Sequence, residues 1–166
     1  EIFINGSLLI KPSVEHLDTY PNIYIPDETY LPISWNLENI EEKTGTDIEK
    51  LSRDEVERND RIIESAEKQD TAFLVSGDPL TATTHYDINH RAEEKGIETK
   101  VVHAPSIFTS IAETGLNVYK FGRTVTLPKD MAPESIGKHI EKNDSIGLHS
   151  LVLLDIDYDA SEAAEK

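Results

Sequence analysis

Cysteine is absent from the 166 residues. That excludes disulfides and thiolate-bound zinc, and it fits a reducing compartment, so the expected location is the cytoplasm. No apolar run approaches the roughly 20 residues that a membrane-spanning helix needs. No basic-then-apolar signal segment opens the chain, which begins with Glu1, and no membrane partner is expected. Basic residues are scarce: 16 Lys and Arg stand against 32 Asp and Glu, a formal net charge of −16. An acidic surface of that size repels phosphates, and with no local basic patch to override it no nucleic-acid partner is expected. Several catalytic signatures are missing too. There is no G-x-S-x-G elbow, no G-x-x-x-x-G-K-[ST] loop and no G-x-G-x-x-G after the first strand. The first absence leaves an α/β-hydrolase nucleophile unsupported, the second removes the P-loop, and the third weakens a dinucleotide oxidoreductase.

What is present centres on Thr71–Asp87, TAFLVSGDPLTATTHYD. Ala72–Val75 is wholly apolar, as a strand buried on both faces of a parallel sheet should be. It ends at Ser76-Gly77-Asp78-Pro79, and a helix is predicted from about Thr81. A strand leading through a glycine turn into a helix sets the turn at the carboxyl edge of the sheet, where open α/β folds bind ligands. Asp78 would there accept hydrogen bonds from a ligand's hydroxyl or ammonium group. The tripeptide taken alone reads first as a plain strand-to-helix turn with Asp78 near a helix cap.

Around this centre the pattern is strand and helix in alternation. Strands are expected at Ile2–Ile4, Ile23–Ile25, Ile48–Leu51 and Thr99–His103, with helices after Pro12, over Asn36–Lys43 and through Ile88 and Ala92 to a left-handed cap at Gly96. Ser52 and Glu55 have the capping-box spacing and predict one helix from there to Lys68, with a thin apolar face and a surface position. Ala104-Pro105-Ser106 forms a second strand-to-helix turn, and the amides after Ser106 cap the next helix or hold a ligand's polar group. Leu116–Arg123 has neither period and marks the expected boundary: an N-terminal α/β domain with a parallel sheet over 1–118, and a partial C-terminal α/β domain over 119–166. That second part holds a strand at Thr124–Leu127, a helix at Pro133–Asn143, a strand at Leu151–Ile156 and a polar tail. Two strands and a helix are too few to close a core, so they either join the first sheet or form a domain cut short. His85, Asp87 and His90 fan out around a helix instead of converging, so no metal is expected and the histidines read as surface or capping residues. His103, ending its strand beside the second turn, lines the pocket or is a satisfied core histidine.

Four stretches in collinear order resemble the diphthine synthases: Val75-Ser76-Gly77-Asp78-Pro79-Leu80-Thr81-Ala82-Thr83-Thr84-His85, His103-Ala104-Pro105-Ser106-Ile107, Thr114–Gly122 and Gly147–Ile156. The resemblance, covering Leu51 to Ile156, implies a tetrapyrrole-methylase-like fold of two α/β domains, usually in a homodimer. It implies an S-adenosylmethionine-dependent methyltransferase whose substrate is the modified histidine of translation elongation factor 2, on the way to diphthamide. Carried over residue by residue, the donor contacts fall on Asp78, Thr81, Ser106, Ile107 and Leu154, with Leu8 the nearest match to a further leucine; no catalytic residue is assigned. Tyr24 to Tyr30 matches a tyrosine-rich stretch of the family in degraded form. Asn5-Gly6-Ser7-Leu8 keeps one glycine of a loop that repeats it in the family, and the family's second domain continues further. The alternatives are another methyltransferase of the same superfamily, acting on a tetrapyrrole or ribosomal RNA, and a non-catalytic remnant that only binds protein.

Overall fold

The structure, a computed structural model, describes residues 2–6, 14–28, 30, 36–129, 134–155 and 158–164. By spatial compactness, a different criterion from the change of sequence character at residue 119, the chain forms two units, 1–107 and 108–166.

The first unit is built on five strands: β1 (Ile2–Gly6), β2 (Asn22–Pro26), β3 (Ile48–Leu51), β4 (Thr71–Val75) and β5 (Thr99–Val102). They lie in the order β3-β2-β4-β1-β5, and every pairing is parallel. The apolar run Ala72–Val75 forms β4, whose five residues are all buried. Alternation along the strand sends Phe73 and Val75 to one face and Ala72 and Leu74 to the other. On the Phe73 face pack α2 (Arg53–Glu57), α3 (Arg61–Ala66) and α4 (Tyr86–Glu94), through Val56, Ile62, Ile63, Ile88 and Ala92. On the Leu74 face pack α1 (Leu37–Thr44) and a 3-10 turn at Val14–Thr19, through Ile40 and Leu17. Gly96 follows α4 at φ 70°, the left-handed conformation expected of it.

The single helix expected from Ser52 to Lys68 is two. The capping box at Ser52 and Glu55 is present, but α2 ends at Glu57 and α3 starts at Arg61. Val56 and Ile62 would stand about 120° apart on one continuous helix. The break resets the phase and turns Val56, Ile62, Ile63 and Ala66 all inward. The thin face is thereby a full core contribution, and the segment does not lie on the surface as expected.

In the second unit β6 (Val125–Leu127) and β7 (Val152–Leu154) pair in parallel, joined through α6 (Glu134–Ser145). They form a sheet of their own and do not add to the first. Their core is Leu127, Ile136 and Tyr158. The polar tail is not featureless: Asp159 accepts from the amides of Ser161 and Glu162 and caps α7 (Ala160–Ala164). Ahead of β6 the buried Asn143 of α6 ties down the chain. Its Oδ1 accepts from Arg123 N at 3.1 Å, and its Nδ2 donates to Arg123 O at 3.0 Å and to Ser150 Oγ at 2.8 Å.

Gly122 leaves room for that clamp. A Cβ there would sit 2.6 Å from Asn143 Cγ and closer still to Oδ1. Gly122→Ala is therefore expected to cost about 1–3 kcal/mol, the usual range for overpacking, read from urea midpoints. In an Asn143→Ala background most of that cost should vanish, because the clashing amide is gone.

Candidate functional site

Loops following parallel strands gather at one edge of the sheet. The chain leaves β1 toward β2 on one side, and β4 toward β5 on the other. Neighbours β1 and β4 thus send their connections in opposite directions, the switch point at which open α/β sheets leave a crevice.

The bend after β4 and the bend after β5 meet at Asp78. Its Oδ1 accepts from Leu80 N at 3.0 Å and Thr81 Oγ1 at 2.9 Å. Its Oδ2 lies 2.7 Å from His103 Nδ1 and 3.4 Å from Ala104 N. Burial pushes the Asp78 carboxyl up, but the bonds from Leu80, His103, Thr81 and Ala104 outweigh it and hold the pKa below the ordinary carboxylate range. An anion is thus fixed between two loops. His103, strand end and pocket lining in the sequence reading, lies just past β5 with a side chain 67% exposed, so it is not a core histidine.

The helix expected from Thr81 begins only at Tyr86. Two local causes are visible. Asp78 takes the Leu80 amide and the Thr81 hydroxyl into a side-chain-closed turn. Ala82 then adopts φ 56°, a left-handed conformation that interrupts any right-handed helix.

Thr81 and Asp78 are therefore in direct contact, and the contact from Ala104 N ties Asp78 to the loop that holds Ser106. Ser106 is buried, while Ile107 is 46% exposed at the start of the short helix α5 (Ile107–Ser110). Leu154 belongs to the second unit, where it ends β7 and lines an apolar groove of about 840 Å³ with Leu127, Ile136 and Val152. Leu8 lies outside the described residues.

A second polar cluster at the same carboxyl edge went unforeseen. Tyr30 comes from the loop after β2, Glu57 from the helix after β3, and Thr84 and His85 from the bend after β4. The Tyr30 hydroxyl lies 3.2 Å from Glu57 Oε1, 3.3 Å from Thr84 Oγ1 and 3.2 Å from His85 Nε2. Thr84 also donates to Glu57 Oε1 at 2.9 Å, and Arg53 Nε to Glu57 Oε2 at 3.0 Å. Burial works to raise the Glu57 pKa, but the bonds from Arg53, Thr84 and Tyr30 carry it below its ordinary value. Tyr30 is pushed up, chiefly by burial.

His85 is not the surface residue its sequence context suggested. It is 2% exposed and packs edge-on against Phe73 and Tyr30. Burial drives its pKa from 6.5 down to about 4, against the Pro79 carbonyl and Glu57, which both favour the charged ring. Between those two values the unfolded chain holds a proton that the folded one does not. Acidification through pH 6.5 to 4 should thus drain stability, by on the order of 3 kcal/mol in full. Urea midpoints at pH 7 and pH 4.5 should separate by less in His85→Gln than in the parent chain.

Asp87 pairs with Arg91 at 2.7 Å, and His90 stands 3.8 Å from Glu94. Neither converges on His85, and no metal-holding cluster occurs among the described residues. Among those residues no helix is long and apolar enough to cross a membrane.

Comparison with known proteins bears on this geometry. Residues 15–166 match the family model of the tetrapyrrole (corrin/porphyrin) methylases. A diphthine synthase of Methanocaldococcus jannaschii is 42% identical over 144 residues, covering 84% of this chain and 56% of that protein. A diphthine methyl ester synthase 2 of Candida albicans is 40% identical over 138 residues, covering 81% of this chain and 46% of its own length. The chain thus spans about half the length of these curated relatives. A crystal structure of diphthine synthase superposes with a TM-score of 0.81 at 30% identity, over 96% of this chain and 66% of that one.

Proposed function

The chain belongs to the tetrapyrrole methylase family, and from that premise we propose that it binds S-adenosylmethionine and serves the diphthine synthase reaction, methyl transfer to the modified histidine of translation elongation factor 2. The observation that carries the proposal is the anion at Asp78, held between the bends after β4 and β5 at the switch point of the sheet. The site suits such a donor in kind. Asp78 Oδ2 keeps one long contact, from Ala104 N, and one to the exposed His103 ring, so it is the oxygen that a ligand hydroxyl can reach by displacing His103. Ile107, just after the bend that carries Ala104, offers exposed apolar surface.

When bound, S-adenosylmethionine would supply a methyl group on a sulfonium; in-line attack by a neutral amine on the methyl carbon would break the C–S bond and release the sulfur as a neutral thioether. The work of the chain is alignment and exclusion of water. The Leu80, Thr81, Ala104 and His103 bonds to Asp78 lock two loops into one platform, so the orientation of a bound donor is set before the acceptor arrives. Thr81 contributes through Asp78, and Ser106 and Ile107 complete the proposed donor contacts of the first unit. No residue is assigned as base, since the amine can lose its proton to solvent.

Titration with S-adenosylmethionine in a calorimeter tests the donor half. Saturable heat at one donor per chain is expected; its absence would leave a folded module that binds only protein. Transfer of labelled methyl to elongation factor 2 bearing the precursor side chain, and not to a tetrapyrrole or ribosomal RNA, tests the acceptor half.

A further inference from the structure

The second cluster at the carboxyl edge is absorbed by neither the donor site nor the core. It joins one aromatic ring, one carboxylate, one hydroxyl and one imidazole from two loops and a helix end far apart in sequence. A cation already occupies it: the Arg53 guanidinium lies 5.6 Å from the centroid of the Tyr30 ring and donates to Glu57 Oε2 at 3.0 Å. That side chain is 68% exposed, and exposed ion pairs of this kind are weak. The neighbouring cavity of about 350 Å³ is bordered by Glu57, Thr84 and His85 together with Arg58 and Arg91, and not by Tyr30, so the place Arg53 occupies is the Tyr30 ring face and Glu57 Oε2 and not that cavity.

We propose that the Tyr30 ring and the Glu57 carboxylate form a subsite for a methylated ammonium group, with Arg53 as its stand-in when the site is empty. The proposal rests on the methyl-transfer reading only for the source of such a group, the methylated acceptor. The preference for methyl over hydrogen follows from what is already spent. The Tyr30 hydroxyl is committed to Glu57, Thr84 and His85, and Glu57 Oε1 accepts from both Tyr30 and Thr84. Once Arg53 leaves, a ligand meets one ring face and one carboxylate oxygen. A bare ammonium seeks an acceptor for each N–H and finds too few. A quaternary ammonium needs none, and its charge is met by the π-face and the anion.

The test titrates the 166-residue chain with tetramethylammonium chloride, followed by NMR, with ammonium chloride and sodium chloride at matched ionic strength. Saturable shifts centred on Tyr30, Glu57 and Thr84 are expected, with tetramethylammonium at least about tenfold tighter than ammonium. Arg53→Ala should tighten tetramethylammonium several-fold by removing the competing cation, an effect that a purely structural cluster would not give. Tyr30→Leu and Glu57→Gln should each weaken it about tenfold, whereas Tyr30→Phe, which keeps the ring, should stay within about threefold. Thermal melts identify any variant that fails to fold; Arg53→Ala and Tyr30→Phe decide the matter in that case. No saturation, equal affinity for ammonium, or weaker binding in Arg53→Ala would each overturn the proposal. Donor heat measured on the same parent sample reports on methyl transfer alone. Tetramethylammonium binding without donor heat would overturn the methyltransferase reading and leave the subsite standing.

Discussion

Asp78→Ala is expected to weaken S-adenosylmethionine binding by about 100-fold. The carboxylate receives hydrogen bonds from Leu80, Thr81, His103 and Ala104, and it is the point at which two loops are joined. Hydrogen bonds to a charged group contribute about 1.5–3 kcal/mol each. Losing a ligand contact together with the lock on one loop therefore amounts to about 3 kcal/mol, which is about 100-fold in a dissociation constant. Asp78→Asn separates the two roles. Its remaining oxygen can still close the turn through Leu80 and Thr81, while its amide nitrogen cannot accept from Ala104 N or from a ligand hydroxyl. A loss of about tenfold is expected for it, by the same conversion. Calorimetry on both variants, with thermal melts to report folding, is the check. Unchanged donor affinity in Asp78→Ala would remove the residue from the donor site.

The largest effect on stability is expected from Phe73→Ala, about 3–5 kcal/mol. Phe73 is fully buried at the middle of β4, the middle strand of the sheet, and β4 is paired on both sides. The ring also forms the floor against which His85 stands, so its removal opens a cavity and loosens the polar cluster above. Against a total stability of about 5–15 kcal/mol for a domain, that loss removes a large fraction of the margin. Tyr86, 68% exposed at the start of α4, is the contrast: its replacement by alanine should change stability by no more than about 0.5 kcal/mol. Urea unfolding followed by circular dichroism compares the two. A cost below about 1 kcal/mol for Phe73→Ala would contradict its place in the core.

Those expectations rest on elements of unequal legibility. Ala72–Val75 reads directly as a strand because a segment covered on both faces has no polar positions to disguise it. The Ser52–Glu55 box and the Gly96 cap are equally local, each a rule about neighbours along the chain. The break between α2 and α3 is not local: only the core tells Val56 and Ile62 that they must share a side. α4 starts later than the sequence predicts because the Asp78 side chain and the left-handed Ala82 out-compete helix formation from Thr81 to His85. Asp159 is the converse, a short side chain that starts a helix where the composition looked like plain tail. Of the candidate site, Asp78 and Thr81 could be read together because they lie three apart. The Tyr30 cluster could not, since Glu57 and His85 lie 27 and 55 residues away and no spacing along the chain foretells that they converge.

The order of the sheet sets a timetable for synthesis. Of the five strands β1 is made first, yet its neighbours are β4, 71–75, and β5, 99–102. A nascent chain must carry that strand unpaired while some seventy further residues emerge from the ribosome. Contacts so distant along the chain close slowly, and an edge waiting that long attracts strangers. A chaperone that shields the first strand should therefore raise the yield of folded chain more than one acting after residue 102 has appeared.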